Sequence, residues 1–516
     1  MKKRKVAMLL AAIMCFGSLA GCGSNEEKND DTADGQAKPI KIMAPLLSET
    51  APEENCDIEK ALEELTGYEV EITWVPNSSY GDKLSITLAS DDIPDILIAT
   101  TGRESSIISA VKKGAFWQLD DYLDDYPELA KMKEEIKLNS SFNGDTYGIY
   151  RSRDVIRSGI IIRRDWLNNL GMEAPTTVDE FTEMLRAFKN NDPDGNGQDD
   201  TYGLTIPKWD GLNNNGPFDI IANWFGVPNV TEVDNKGNVT YDFQSKEYME
   251  FLDYMKMLFD EGLINQDFAV LSTDDWNNDF ISGRAGCIID TQSRAMSIAS
   301  LMAKSNGVEE GSEWVTLLGN VKSDNGDTIL PTSGFAGQLM IPKQAVETEE
   351  RLKEVLDFID KTNTEEGCIL LNKGIEGVHY TMENGEYAPL VNEDEAVQKQ
   401  NSANLASFAQ LGTGVAGYAL PVKLSGTQLE SERIAIRDGQ EWRDKAVFCE
   451  TSSLISDVAT QKSATLNNII ADARIQYISG QIDKAGLEAE FDRWMTSGGS
   501  EVLEDLTKLY KENLLN

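Results

Sequence analysis

The sequence lacks most of the side-chain patterns on which hydrolases and metalloenzymes depend. Its single histidine is His379, so zinc sites built from several histidines and most Ser-His-Asp arrangements are excluded by count. It also contains no GxSxG, no HExxH, no phosphate-binding P-loop and no GxGxxG after a predicted strand. These absences argue against the common enzyme classes and favour a protein that binds without reacting.

Cysteine is scarce as well. Six cysteines are scattered over 516 residues and none forms a CxxC pair, which argues against both a disulfide framework and a cysteine zinc site. The four that follow the N-terminal region are expected to be free, buried thiols: Cys56, Cys287, Cys368 and Cys449.

Positive charge is in short supply. The chain has 87 Asp and Glu against 47 Lys and Arg, a formal net charge of −40. Such a charge repels nucleic acid and other acidic polymers, so it argues against them as direct ligands. The length exceeds what one hydrophobic core usually holds, and we expect two domains.

Long apolar runs are absent except at the N-terminus. Four basic residues, Lys2 to Lys5, precede the run VAMLLAAIMCFGSLAG, which is short for a membrane span and typical of a signal peptide. The residues Leu19 to Cys22 resemble a bacterial lipobox, and this resemblance implies cleavage before Cys22 and diacylglycerol on its sulfur. The alternative is a soluble secreted protein that is cut nearby. We expect residues 1–21 to be a lipoprotein signal peptide, residues 22–38 a flexible tether, and the mature protein to be anchored outside the cytoplasm.

From residue 39 the pattern is that of an α/β protein. The segments IKIMAPLL, YEVEITWVP and IPDILIAT read as strands, and the stretches between them read as helices. This alternation predicts a parallel sheet with crossover helices. Later, TTVDEFTEMLRAF predicts a helix with a capping box formed by Thr177 and Glu180, and the last hundred residues read as mainly helical.

An acidic loop, NNDPDGNGQDDTYGL, follows that helix. Counted from Asp192, oxygen donors stand at positions 1, 3, 5, 7 and 9, and Gly197 allows the sharp turn at position 6, as in an EF-hand. The predicted calcium donors are the side chains of Asp192, Asp194, Asn196 and Asp200 and the backbone carbonyl of Gln198. Position 12 is Gly203 rather than a bidentate Glu, and no second helix follows, so we expect a structural calcium site rather than a sensor. The alternative is an acidic turn without an ion.

The order of these motifs resembles the extracellular solute-binding proteins of carbohydrate ABC transporters (family 1). The resemblance is carried by the lipobox start, LASDDIPDILIAT, NGDTYGIYRSRD, IIIRRDWLNNLGMEAPTTVDEFTEMLRAF, LFDEGLINQDF, SGRAGCIID and NKGIEGVHY. It implies a two-lobed periplasmic-binding-protein-like fold (type II), in which each lobe is a mainly parallel sheet flanked by helices, with a helical C-terminal region. We assign residues 39–157 and 282–342 to the first lobe and residues 158–281 and 343–516 to the second. Several oligosaccharide-binding relatives carry a similar acidic loop, with an acidic residue where this chain has Thr201.

Sugars bind to aromatic planes and to carboxylate or amide groups. Trp276 lies among acidic and amide residues, Trp224 precedes FGVP and Trp209 lies in PKWDG, and we expect these three to be stacking platforms. In the family the segment GIEGVHY borders the cleft, which implies hydrogen-bonding roles for Glu376 and Tyr380. Two further residues, Arg151 and Arg153, follow the turn where the chain crosses between lobes. We expect them to form surface salt bridges; the alternative is that they reach an acidic sugar.

The sequence therefore predicts a lipid-anchored, monomeric component of an ABC importer. It would bind a carbohydrate, most simply an oligosaccharide, between two lobes and deliver it to permease subunits in the membrane, with no catalysis and with calcium in a structural role. Two alternatives remain open at this point: a secreted calcium-containing enzyme that degrades polysaccharides, and a surface lipoprotein that adheres to glycans.

Overall fold

A computed structural model describes residues 38–209, 216–307, 311–323, 328–418, 421–423 and 445–515. The chain separates into two units, residues 1–38 and residues 39–516. The predicted signal peptide, the tether up to residue 37 and Cys22 lie outside the described residues. No helix within the described ranges has both the length and the apolar character that crossing a bilayer would require.

The first sheet begins as predicted and then changes direction. Its strands, in spatial order, are β2 (Val70–Pro76), β1 (Ile40–Leu46), β3 (Ile96–Ala99), β11 (Phe335–Met340) and β4 (Gly148–Ser152). β1 pairs in parallel with β2 and β3, which confirms the crossover pattern of the first sixty residues. β11 is antiparallel to both of its neighbours, so this sheet is mixed rather than mainly parallel.

The second sheet is shorter and also mixed. Its spatial order is β10 (Val315–Leu318), β5 (Ser158–Arg163), β9 (Ala285–Thr291) and β6 (Tyr202–Leu204). β5 is antiparallel to β9 and β10, whereas β6 and β9 are parallel. Two hairpins complete the strands: β7 (Thr231–Val233) with β8 (Val239–Tyr241), and β12 (Tyr380–Glu383) with β13 (Glu386–Pro389).

Helices surround the two sheets. In the first half of the chain they are α1 (Asp57–Thr66), α2 (Asn77–Thr87), α3 (Ser105–Lys112), α4 (Glu134–Ser140), α5 (Arg164–Leu170), α6 (Val178–Asn190), α7 (Pro217–Trp224) and α8 (Lys246–Asp260). In the second half they are α9 (Trp276–Ile281), α10 (Gln292–Asn306), α11 (Glu349–Thr362), α12 (Glu365–Lys373), α13 (Glu395–Phe408), α14 (Asp457–Ile478), α15 (Lys484–Trp494) and α16 (Ser500–Asn513). Short 3-10 turns cover Leu123–Asp125, Leu129–Lys131, Asp242–Gln244 and Ser312–Trp314.

The cap of α6 differs in one detail from the predicted capping box. The Thr177 hydroxyl accepts a hydrogen bond from the Glu180 backbone N–H at 3.2 Å, as expected. The Glu180 carboxylate, however, accepts from the backbone N–H and hydroxyl of Thr176, at 2.7 and 2.6 Å. Both groups still satisfy donors at the helix start, but the partner of Glu180 lies one residue earlier.

The buried side chains form two large hydrophobic cores, one on each sheet. The first core contains residues from Ile40 to Ile156 and from Ile329 to Val415. The second core contains residues from Ile160 to Ile289 together with residues from Leu454 to Leu506. A smaller third cluster packs α9 and α10 on the opposite face of the second sheet. The fold class is therefore the expected two-lobed one.

The lobe boundaries follow the cores and not the predicted division. β9 and β10 lie in 282–342, which we had assigned to the first lobe, yet both pair with β5 in the second sheet. Conversely, α11 and α12 were assigned to the second lobe and pack in the first core. A strand's local pattern identifies it as a strand but does not specify its neighbour, because pairing is a long-range choice.

The four cysteines in the described residues are free, as expected. Cys287 and Cys368 are buried, and Cys56 and Cys449 are half-buried. Burial raises the pKa of the Cys287 thiol well above its usual range, which makes it an unreactive core residue.

Candidate functional site

Two pockets open where the two cores meet. The larger is lined by residues packed on both cores, including Ile108 and Leu454, whereas the smaller takes Ile220 and Leu330 from the second core and borders the segments that join the cores. The first cleft pocket has a volume of about 370 Å³ and the second about 570 Å³. Both are bordered by Thr332 and Ser333, so they adjoin each other. The first cleft pocket is lined by Arg153, Arg157, Ser158, Trp209, Ile220, Asp290, Thr291, Leu330, Thr332 and Ser333.

The floor of the cleft consists of chain segments that cross between the cores. Residues 153–157 join β4 to β5, and residues 329–334 lead back to β11. The two segments are hydrogen bonded to each other: the Arg153 backbone N–H donates to Gly334 at 2.9 Å, and the Thr332 N–H donates to Val155 at 2.7 Å. This pairing brings Arg153 and Thr332 together, and both line the first cleft pocket.

A third crossing segment, residues 445–456, borders the second cleft pocket. Arg103, two residues before α3, holds this segment against the first core. Its guanidinium donates to the carbonyls of Asn139 and Ser141, at 2.8 and 2.7 Å, and to that of Ser452 at 3.2 Å. Burial lowers the pKa of Arg103 to about 10, and the group stays charged at neutral pH.

Trp209 is the predicted platform that the structure places in the cleft. Its side chain is half-buried and lines the first cleft pocket. Its ring packs edge-on against Trp276, with centroids 6.1 Å apart and an interplanar angle of 62°. A Cβ atom at Gly216 would come within 2.2 Å of the Trp209 Nε1, so the glycine there permits this position of the indole.

Trp276 is a core residue and not a platform. It is 0% exposed, its Nε1–H donates to the Thr205 carbonyl at 3.0 Å, and the Arg294 guanidinium lies 4.3 Å from its ring centroid. Its acidic neighbours in sequence misled the prediction, because consecutive residues at the start of a helix point in directions about 100° apart. The indole therefore has no free face for a ligand in this structure.

Trp224 is also buried, at 2% exposure. Its Nε1–H donates to the Asn320 side-chain oxygen at 2.9 Å, and its ring packs edge-on against Phe181 at 5.3 Å. It links α7 to the core of the second lobe, and it lines neither cleft pocket.

Glu376 and Tyr380 lie in a different depression, of about 550 Å³, that is bordered by α1 and α12. This depression shares no lining residue with either cleft pocket. Tyr380 is 7% exposed and packs against Tyr387 with ring centroids 5.2 Å apart. The neighbouring His379 accepts a hydrogen bond from the Ile375 N–H through Nδ1 at 3.1 Å, and burial lowers its pKa. These residues shape the first lobe and do not face the cleft pockets.

Among the lining residues that sequence reasoning missed, two are charged, Arg157 and Asp290. Asp290 stands near the end of β9 and forms an ion pair with Arg294. Arg157 immediately precedes β5. Strand ends that border a crossing segment are a usable signal for such residues, but only once the partner strands are known. Arg151, in contrast, is engaged by Gln410, whose side-chain oxygen accepts from its guanidinium at 3.0 Å.

The acidic loop lies between α6 and β6, and its carboxylates surround Asn196. The two oxygens of Asp192 accept from the backbone N–H groups of Asn196 and Gly197, at 3.0 and 2.9 Å. The Asn196 side-chain amide lies 2.9 Å from an Asp194 oxygen and 3.2 Å from one of Asp200. Burial, with contributions from Asp192 and Asp200, raises the pKa of the Asp194 carboxyl. The negatively charged carboxylates of the loop are thus held close together and repel one another.

Other features of the loop fit a calcium site less well. Asp199 is held by Lys189, with Nζ 2.6 Å from its Oδ1, and the Thr201 hydroxyl turns away to donate to the Phe188 carbonyl at 2.8 Å. In the described ranges no three imidazole, thiolate or carboxylate groups converge tightly enough to hold a metal ion. The oxygen chemistry fits calcium, and full coordination would need the loop to tighten.

Comparison with known proteins gives a family match over most of the folded chain. The model of the family described as bacterial extracellular solute-binding protein matches residues 55–364. Lipoprotein LipO of Bacillus subtilis is 44% identical over 99% of this chain and 99% of its own length. The polygalacturonan/rhamnogalacturonan-binding protein YtcQ, from the same organism, is 31% identical over 99% of each chain.

The fold has counterparts among solved structures. A solute-binding protein from Bifidobacterium longum infantis, described as HMO-binding and ABC-transporter-associated, superposes with a TM-score of 0.67. The two sequences are 19% identical, and the match covers 92% of this chain and 99% of that one. The family and the second relative are both named for binding rather than for catalysis.

Proposed function

We propose that this chain, which belongs to the family of bacterial extracellular solute-binding proteins, captures an oligosaccharide and delivers it to an ABC importer. The observation that carries the proposal is the cleft between the two cores, where a half-buried indole, hydroxyl groups and charged side chains line adjoining pockets. Oligosaccharides present apolar faces and polar edges, and such a lining matches both.

The proposed mechanism needs no covalent chemistry. A ligand in the first cleft pocket would contact Trp209 and Asp290 of the second lobe and residues of the crossing segments. Such a ligand stabilises the closed arrangement by the contacts that only this arrangement supplies. The paired segments 153–157 and 329–334 are where the backbone would bend, and the closed form would then dock on the permease subunits.

We also propose the location and state of the protein. Cleavage before Cys22 and lipidation of its sulfur would anchor a monomer to the outer face of the cell membrane, with residues 22–38 as a tether. Intact-mass measurement of the membrane-extracted protein tests this proposal, and a Cys22→Ala variant that still partitions with membranes would contradict it.

Calcium in the acidic loop is part of the proposal. Asp192, Asp194, Asn196 and Asp200 would supply side-chain oxygens and Gln198 a backbone carbonyl, and the ion would relieve the repulsion between the three carboxylates. Its role would be structural, holding the connection from α6 to β6.

A glycan panel tests the function. Thermal unfolding of the purified protein is measured with neutral and acidic oligosaccharides, and each ligand is recovered afterwards and analysed by chromatography. We expect at least one oligosaccharide to raise the melting temperature and to be recovered intact. A cleaved ligand would support the polysaccharide-degrading alternative, and binding only to insoluble polymer would support the adhesion alternative.

A further inference from the structure

We propose that Arg153 and Arg157 bind the carboxylate of an acidic sugar unit, so that the ligand is an oligosaccharide containing uronic acids. The inference rests on the proposed function, because it names the substrate class of the same cleft.

The two arginines lack the partners that arginines usually have in this chain. Both line the first cleft pocket, and across the described residues neither guanidinium forms an ion pair or a side-chain hydrogen bond. By contrast, the following arginines each pair with a carboxylate: Arg163, Arg186, Arg284, Arg294, Arg351 and Arg493. The chain has 87 acidic residues, so carboxylate partners are abundant, and two arginines without one in the same pocket call for a functional explanation. Binding an anion there supplies one.

The geometry brings the two charges together. Arg153 and Arg157 stand at the two ends of one crossing segment, and backbone hydrogen bonds hold both ends: the Arg153 N–H donates to Gly334 at 2.9 Å, and the Arg157 carbonyl accepts from Gln292 at 2.8 Å. Partial burial, and after it the charge of Arg157, lowers the pKa of Arg153, while Asp154 opposes this change. Two guanidinium groups that repel each other are relieved by an anion between them.

The acidic residue of the pocket does not neutralise them. Asp290 forms an ion pair with Arg294, whose guanidinium also donates to the Asn277 side-chain oxygen at 2.8 Å. The remaining polar groups are hydroxyls, including those of Ser158 and Thr332, and Trp209 adds an aromatic surface. Cations, hydroxyls and an indole together match a sugar that carries a carboxylate, whereas a neutral sugar would leave both arginines unpaired.

The net charge of −40 does not prevent an acidic sugar from binding inside the pocket. Exposed charges more than about 8 Å away are largely screened at physiological ionic strength, and the pocket's own arginines dominate inside it. The same charge limits the ligand to short oligosaccharides, since a long acidic polymer would be repelled by the rest of the surface.

The test is calorimetric titration with matched ligand pairs. Trisaccharides of galacturonate, glucuronate and mannuronate are each compared with the same trisaccharide after reduction of its carboxyl groups. The variants are Arg153→Gln and Arg157→Gln, with Arg493→Gln as the control, because Arg493 is exposed on α15 and its loss changes the net charge equally.

We expect at least one acidic trisaccharide to bind tenfold or more tightly than its reduced form, as charge-assisted hydrogen bonds imply. Each pocket variant should lower that affinity 10- to 100-fold and leave binding of the reduced form within about twofold, while Arg493→Gln has no effect. Thermal unfolding of the variants provides the folding check.

Two results would overturn the inference. Equal affinity for acidic and reduced trisaccharides, or an acidic preference that survives both pocket variants, would show that the arginines do not select the ligand, and the proposed function would stand. If no glycan of the panel binds, acidic or neutral, the proposed function fails together with this inference.

Discussion

Trp276 and Trp209 are in contact, yet we expect their substitution to have opposite effects. Trp276 is 0% exposed and donates to the Thr205 carbonyl at 3.0 Å, whereas Trp209 is half-buried at the first cleft pocket. Trp276→Phe should therefore lower the free energy of unfolding with little change in ligand affinity. Trp209→Ala should weaken ligand binding more than it weakens the fold.

The magnitudes follow from what each substitution removes. Trp276→Phe leaves the Thr205 carbonyl without its indole donor, which costs about 1–3 kcal/mol, and it leaves a cavity beside the Arg294 guanidinium that adds about 1 kcal/mol. A total of about 2–4 kcal/mol is a large part of the stability of a typical protein. For Trp209→Ala we expect a loss of affinity of about tenfold or more, as for a central aromatic contact.

The assay is urea unfolding followed by circular dichroism, together with calorimetric titration of whichever glycan raises the melting temperature most. Trp314→Phe is the control, since Trp314 is half-buried beside the third cluster and lines neither cleft pocket. If Trp276→Phe weakens binding while its unfolding midpoint stays at the wild-type value, our assignment of Trp276 to the core is wrong. If Trp209→Ala leaves the affinity unchanged, Trp209 is no platform.

Two further predictions concern pH and calcium. Burial, assisted by the charge of Asp219, raises the pKa of Asp242 to about 7. The folded protein therefore keeps a proton on this carboxyl that the unfolded chain releases near pH 4. As a result, Asp242 lowers the free energy of unfolding as the pH rises from about 4 to 7. Because part of this residue remains exposed, we expect Asp242→Asn to stabilise the protein by only about 1–2 kcal/mol at pH 8, and to have no such effect at pH 4. Equal unfolding midpoints of the variant and the wild type at pH 8 would contradict this prediction. For the acidic loop, a chelator should lower the melting temperature of the wild type but not that of Asp192→Ala, with Asp234→Ala, in another acidic turn, as the matched variant that keeps the chelator response. A wild type that is indifferent to chelator would leave the loop as an acidic turn without an ion.

Much of the local structure could be predicted from the sequence because it depends on neighbours in the chain. The apolar stripe of α6, Phe181, Met184, Leu185 and Phe188, is buried at 0% exposure, as its helical spacing predicts. The first three strands pair in parallel, as their alternation with helices indicated. Gly67 ends α1 with a φ of 75°, which glycine adopts at no steric cost.

The binding site was predicted less well, because a site is made of residues that are distant in sequence. The first cleft pocket unites residues from 153 to 333. Of our predicted platforms and hydrogen-bonding residues, Trp209 lines it, and so does Arg153, which we had named as an alternative contact for an acidic sugar. Glu376 and Tyr380 border a depression of the first lobe instead. Arg157 and Asp290 could be recognised only after β5 and β9 were known to be neighbours.

By itself the sequence determined the fold class, the family resemblance and most helices and strands, since periodicity, caps and turn residues act within a few positions of the chain. Tertiary structure alone decided that β9 lies beside β5 and that Trp276 is enclosed while Trp209 reaches the cleft. It also decided that Arg153 and Arg157 have no acidic partner among the residues that the structure describes. The physical reason is that strand pairing, burial and charge pairing depend on groups that packing brings together. The distance between these groups along the sequence does not indicate which of them will be in contact.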